Sequence, residues 1–228
     1  VELEINEKLA SLPPGADAAM RASDRMVALA EMFGLGLDEH HELELYRDFR
    51  VTVRRGQVVY ITGPSGCGKS VLLRAMSRAV RERLAAGDAG DDDPRGPVAE
   101  LDSVDASGDA PVVERFGADL GEALRLASVA GINDAFLMLR PPSQLSDGQR
   151  YRYRLAALLA AGAGTVVIDE FCSTLDRCTA RAVAHRVRKY ADRTGTTFLV
   201  ATAHDDLGDD LLPDVRITKR AAAQVEVE

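Results

Sequence analysis

Tryptophan is absent from the 228 residues, aromatic side chains make up 5%, and cysteine occurs three times. The cysteines, Cys67, Cys172 and Cys178, are too few and too scattered for a disulfide framework, and no His/Cys pair stands near them at zinc spacing. No apolar run approaches the roughly eighteen residues that a membrane-spanning helix needs, so direct membrane insertion is not expected. Nor does the stretch after Val1 pair a basic segment with an apolar one, so no secretory signal is expected in it. There is no internal repeat, and no long heptad segment interrupts residues 71–143. A single cytoplasmic domain spanning 1–228, with 46% hydrophobic and 28% charged residues, is the expectation.

A global basic field, the usual footprint of nucleic-acid binding, is also missing: the formal net charge is −8. Most of that charge is local. Residues 87–110 hold eight acids against Arg95 alone, so the rest of the chain is close to neutral. This segment reads as an acidic, solvated insertion. Ahead of it, residues 1–40 read as a helical extension, with a Pro13-Pro14-Gly15 turn and then Met20, Met26, Val27, Ala30 and Phe33 near one face. Glu42 to Thr62 turns β-like, ending in the apolar run Val58-Val59-Tyr60-Ile61. Helical stretches at 71–86, 118–139, after Ser146 and at 175–192 then alternate with apolar runs at Thr165–Ile168 and Thr196–Ala201. That alternation predicts an α/β protein with a mostly parallel sheet.

Gly63-Pro64-Ser65-Gly66-Cys67-Gly68-Lys69-Ser70 is G-x-x-x-x-G-K-S, placed directly after an apolar strand and before a helix opened by Val71. Its glycines let consecutive backbone N–H groups converge on phosphate, and the helix N-terminus adds its dipole. In such a loop Lys69 reaches the β- and γ-phosphates and the Ser70 hydroxyl binds Mg²⁺. Downstream, Thr165–Ile168 ends in Asp169-Glu170. A rigid strand end suits Asp169 to hold Mg²⁺, while Glu170, pointing the other way, is the candidate general base for an attacking water.

The run Gln144–Arg150, containing Leu145-Ser146-Asp147-Gly148-Gln149, resembles the signature motif of ATP-binding-cassette (ABC) ATPases. Ser173-Thr174-Leu175-Asp176 resembles their D-loop, and His204 resembles their switch histidine. That resemblance implies a P-loop α/β core with an antiparallel β portion and a helical subdomain, here reduced and spanning 114–160. It also implies two ATP molecules bound between two head-to-tail domains, identical or related. Ser146, Gly148 and Gln149 of one domain then complete the site of the other, and His204 touches the γ-phosphate or the attacking water.

Several positions depart from the transporter members. Asp147 stands where glycine is usual, and an anion there should repel nucleotide unless it points away or caps the helix. Phe171-Cys172 replaces Pro-Thr. No glutamine occurs between Ser70 and Pro142, so the Q-loop residue is missing. Glu114 either binds Mg²⁺ in its place or is a surface carboxylate. Phe33 either stacks on the adenine, with Tyr46 as second candidate, or packs in the core. Arg150-Tyr151-Arg152-Tyr153-Arg154 interleaves bases and aromatics, which suits nucleic acid or, with side chains spread around a helix, a structural role. The missing glutamine and the shortened helical subdomain lead to an expected soluble partner, a protein or a nucleic-acid transaction. The signature run Leu145–Arg152, the Phe33-Gly34 element and the short subdomain resemble those of ABC ATPases fused to or paired with acetyltransferase-like domains. A divergent transporter subunit and a slow nucleotide-gated module are the alternatives.

Overall fold

The computed structural model describes residues 1–10, 23–34, 42–87, 90–221 and 224–228. In chain order its elements are β1 (Glu2–Ala10), α1 (Asp24–Met32), β2 (Glu42–Thr52), β3 (Val58–Thr62), α2 (Lys69–Ala86) and β4 (Val98–Glu100). They continue with α3 (Leu120–Val129), α4 (Ala135–Met138), α5 (Asp147–Ala160), β5 (Thr165–Ile168) and α6 (Arg177–Thr194). β6 (Thr197–Thr202), α7 (Gly208–Leu211), β7 (Val215–Ala221) and β8 (Gln224–Val227) complete the chain.

β3 is apolar on both faces, and this sets the architecture. Val58 and Tyr60 enter one core while Val59 and Ile61 enter another, as the two-residue period of a strand requires. A strand of this kind must be covered on both sides. It lies inside a six-stranded sheet ordered β4-β5-β6-β3-β7-β8, in which only the β7–β8 pair is antiparallel. One face is covered by Leu72, Leu73, Met76 and Val80 of α2 together with the antiparallel pair β1–β2, which adds Leu3, Ile5, Leu45 and Val51. The other is covered by α3, α5 and α6 through residues such as Leu126, Leu155, Leu159, Val183 and Val187.

Two expected boundaries are corrected. Glu2–Ala10 of the expected helical extension is a strand, in which Leu3 and Ile5 are buried while Glu2 and Glu4 are not. A helix does follow at Asp24–Met32, whereas Met20 and the Pro13-Pro14-Gly15 turn lie outside the described residues. The acidic stretch 87–110 is no simple insertion either, because it contains β4, the edge strand paired in parallel with β5. Pro97 O accepts hydrogen bonds from Gly164 N and Thr165 N and starts that pairing. Acids on either side of Val98-Ala99 mask so short a strand in the sequence.

Candidate functional site

The loop between β3 and α2 turns on glycines with left-handed backbone: Gly66 has φ 77° and Gly68 φ 100°. Gly63 (φ 146°) answers a different demand, since any Cβ there would lie 2.1 Å from Lys219 O on β7. From below, the buried Tyr46 hydroxyl donates to Gly68 O at 3.0 Å, and Lys219 Nζ sits 3.7 Å from the Tyr46 ring centroid while donating to Leu45 O at 2.6 Å. Burial pushes the Tyr46 hydroxyl up and the Lys219 ammonium down from their ordinary pKa values. Lys69 Nζ spans the loop, donating to Gly63 O and Pro64 O at 2.7 Å each.

A cavity of about 380 Å³ opens above this loop. Ser65, Gly66, Gly68, Lys69, Ser70 and Val71 line one side, and Asp169, Glu170, Ser173 and His204 the other. Gly63, Pro64 and Cys67 of the expected phosphate contacts belong to the loop but do not line the cavity. The donors suit Mg²⁺ held with phosphate: a hydroxyl and carboxylates are hard oxygen ligands, and among the described residues no three ionisable side chains form a complete metal cage. Magnesium in phosphate sites takes one or two protein ligands and fills its sphere with phosphate and water.

Glu170 adopts φ 51°, and its N–H donates to Asp169 Oδ1 at 3.0 Å. The Ser173 hydroxyl lies 3.5 Å from Glu170 Oε2, while Phe171 N ties the turn to Ala201 O on β6 at 2.7 Å. Two residues on, Cys172 is also left-handed, at φ 59°. Its N–H donates to the hydroxyl of Tyr151, a residue of α5, at 3.0 Å in a buried position. Burial pushes the Cys172 thiol up to about 12, so it stays protonated and behaves as core. The Phe171-Cys172 departure thus comes with its own brace, Tyr151. Tyr151→Phe is expected to leave that N–H unsatisfied, costing about 1–3 kcal/mol of stability. It should also lower kcat for ATP more than it changes KM, because the turn carries Glu170; steady-state phosphate release and thermal melts measure both.

At the start of α5, Ser146 is the N-cap, accepting from Gln149 N at 3.4 Å while Gln149 Oε1 accepts from Ser146 N at 3.0 Å. Gln149, expected among the nucleotide contacts, is in this chain the return half of a capping box. Asp147 is exposed in the first turn of α5, lies 3.3 Å from Arg150 and lines, with Asp169 and Glu170, a cavity that adjoins the one above the loop. Gly148 has the backbone of Thr174 so close that a Cβ would sit 3.0 Å from Thr174 O. Neither Ser146 nor Gly148 lines the cavity above the loop.

Glu114 does not reach the site. It is exposed on a short 3-10 turn, Val112–Glu114, and does not line the cavity. Sequence reasoning passed over Asp102. β4 ends at Glu100, paired with Val167, and runs into a 3-10 turn, Leu101–Ser103, that carries Asp102, while Asp169 directly follows the end of β5. Both line an adjoining cavity of about 390 Å³ with Glu170, where Asp102 lies 3.9 Å from Arg154. The signal was the short apolar pair Val98-Ala99 running into acids, a strand end like the one at Asp169.

Phe33 is 71% exposed, which removes its core role, and it does not line the cavity, which leaves its stacking role without support. Tyr46 is buried beneath the loop and offers no face to a base. In the mixed run after the signature, Tyr151 and Tyr153 are buried, Arg150 donates to Leu145 O at 2.9 Å, and Arg152 donates to Gly148 O and Gly131 O at 3.2 and 2.9 Å. These contacts give the run a structural role. His204 reaches the cavity at the end of β6, held by Tyr60, whose hydroxyl donates to His204 O, and by its own N–H to Thr202 Oγ1 at 3.2 Å.

A nucleotide-sized cavity between a phosphate loop and a strand-end Asp-Glu pair defines a P-loop ATPase, and the comparisons agree. The profile described as "ABC transporter" matches residues 46–173. The chain therefore belongs to the ABC transporter ATP-binding family, as an ATPase domain whose ligands are ATP and Mg²⁺. It is 29% identical over 178 residues to the Fe(3+) ions import ATP-binding protein FbpC 1 of Haemophilus influenzae, covering 68% of this chain and 52% of that protein. It is 28% identical over 204 residues to the maltose/maltodextrin import ATP-binding protein MalK of Escherichia coli, covering 82% and 54%. The chain thus spans about half the length of the curated relatives it matches. Among solved structures, the ATP-binding cassette MJ0796, a dimer in a post-hydrolysis state bound to ADP and Pi, superposes with a TM-score of 0.61 at 18% identity. That match covers 83% of this chain and 92% of the other. The relatives being import proteins, the narrower expected likeness to acetyltransferase-paired ATPases finds no support in them.

Proposed function

We propose that this chain is the ATP-hydrolysing domain of an ABC-type transporter, working as a head-to-tail dimer with itself or a related chain. The observation that carries this reading is the incomplete cavity. Lys69, Ser70, Asp169, Glu170 and His204 converge on it, while Ser146 and Gly148 of the same chain do not line it. A second copy would supply the missing wall with its own α5 N-terminus, whose N–H groups and positive dipole end suit a γ-phosphate.

In this reading the loop amides and Lys69 bind the phosphates once Lys69 exchanges its two loop carbonyls for them. Ser70 and Asp169 would hold Mg²⁺, which when bound neutralises charge on the β- and γ-phosphates. Glu170 orients a water and takes its proton, with the left-handed turn and the Ser173 hydroxyl fixing its carboxylate. His204 senses the γ-phosphate from the end of β6. Loss of that phosphate removes what the two copies share, so hydrolysis becomes separation.

A soluble partner in place of a permease remains the second reading. It is favoured by the absence of any glutamine between Ser70 and Pro142 and by Glu114 lying outside the cavity. Light scattering with ATP tests the dimer: an ATP-dependent doubling of mass that Ser146→Arg removes is expected, and no change in mass would overturn the head-to-tail arrangement. Capture of the ATP-trapped chain from native membranes and from native cytosol then decides between permease and soluble partner.

A further inference from the structure

A further cavity, of about 310 Å³, lies between α3 and α6 and shares no residue with either cavity beside the phosphate loop. Its wall on α6 is Arg186, Lys189, Tyr190 and Arg193, at the i, i+3, i+4, i+7 spacing of one helix face. α3 contributes Arg125, Ser128 and Val129.

The other cations of α6 are matched with carboxylates. Arg181 lies 2.7 Å from Asp210, Arg188 pairs with both Asp192 and Asp214, and Arg177 pairs with Asp206. On the cavity face this pattern stops. Arg186 donates to a neutral carbonyl, Ser128 O, at 3.0 Å, and Lys189 and Arg193 have no ion pair among the described residues. Of the carboxylates near this face, Asp192 is held by Arg188, and Glu122 is engaged at the start of α3, where its Oε2 accepts from Ala118 N at 2.7 Å and its other oxygen lies 3.7 Å from Arg125. Complementing the helix C-terminal dipoles accounts for Arg186 and Arg193. It does not account for four cations converging on one concavity in a chain of net charge −8. Cations that line one concave face give it a positive potential that favours an anion there.

The geometry points to a binding site for a small diphosphate-bearing anion between α3 and α6, separate from the ATP site and held by Arg125, Arg186, Lys189 and Arg193. The four cations less Glu122 match the roughly three negative charges of a diphosphate ester near neutral pH. One N–H of Arg186 is held by Ser128 O, which restrains a guanidinium that lines the cavity, and guanidinium groups suit phosphate oxygens. Tyr190, packed edge-on against Phe198 with centroids 6.4 Å apart, and Val129 give the site an apolar wall for the organic part of such a ligand. A volume near the lower end of small-molecule sites fits this class and does not admit a duplex.

The test uses the full chain carrying Lys69→Ala, which disables the phosphate loop, with inorganic pyrophosphate as probe and no Mg²⁺. Calorimetry should show one site. Adding Lys189→Ala with Arg193→Ala should weaken it roughly 10- to 100-fold, because two charge-assisted contacts are removed. Hydrogen exchange should slow at residues 120–130 and 186–194 when pyrophosphate is bound. In the chain with Lys69 intact, the same double substitution should leave ATPase activity within about twofold, confirming the fold. The proposal is overturned if pyrophosphate does not bind the Lys69→Ala chain, or binds equally well after the double substitution. It is equally overturned if only a single-stranded oligonucleotide binds there, which would make the face a nucleic-acid surface.

Discussion

Glu170→Gln is expected to abolish ATP turnover while leaving ATP binding nearly unchanged. Glu170 lines the nucleotide cavity on a turn held at φ 51°, braced by Phe171 N to Ala201 O and by Cys172 N to Tyr151. Glutamine has the same shape and keeps an acceptor oxygen, so the turn is preserved. What it lacks is the ability to take a proton from water at neutral pH. General-base catalysis contributes on the order of 10²- to 10⁴-fold, and a fall in kcat of that size is expected. Phosphate release under saturating Mg-ATP measures it, and equilibrium binding of ATP should stay within a few-fold. If the variant keeps more than about a tenth of the activity, the base is another group, and Asp102, across the adjoining cavity, is the first to examine. In the proposed head-to-tail dimer the same variant should accumulate in the ATP-bound form, because closing would not require hydrolysis and separating would.

Gly63→Ala should be the most damaging single methyl in the loop. The Cβ would fall 2.1 Å from Lys219 O, a backbone atom of β7 that cannot swing aside because β7 is paired with β3 and β8. Overpacking and left-handed strain together make about 3 kcal/mol a reasonable cost. For a domain of this size that lowers Tm by roughly 6–12 °C. ATP binding should be lost with it, since the loop must shift away from the sheet. Gly66→Ala is the control. It has a similar need for positive φ but nothing within 4 Å of its added Cβ, so it should cost only about 1 kcal/mol. Equal melting temperatures for the two variants would overturn the close-approach argument.

The glycines illustrate how far the sequence reaches. The motif at 63–70 identified the loop, its place between strand and helix, and Lys69 and Ser70 at its end. It could not distinguish Gly66, required by backbone conformation, from Gly63, required by a strand more than 150 residues away. Among the elements, those with long or two-sided apolar patterns were legible: β3, β5, β6, α2 and α6 fall close to where the pattern puts them. β1 was misassigned although its Leu3/Ile5 alternation was visible, because the apolar positions after it suggested a helix and drew the boundary too early. β4 was missed because three residues are too short for a period, and its partner β5 supplies the pairing that makes it a strand.

Residue chemistry near in sequence was therefore determined by the sequence itself. A glycine-rich loop followed by Lys-Ser binds phosphate, and an apolar strand ending in Asp-Glu presents carboxylates, since both depend on neighbours within a few residues. The tertiary structure decided the rest, because contact across the chain depends on strand order and register. The pairing of β4 with β5 brings Asp102, on the turn after β4, and Asp169, after β5, to the lining of one cavity, and the crossing of α5 over the turn at 170–172 turns Tyr151 into a brace. The tertiary structure also pairs α6's other arginines with Asp206, Asp210 and Asp214 while Arg186, Lys189 and Arg193 line a cavity against α3, since which carboxylate meets which face of α6 depends on how distant segments pack.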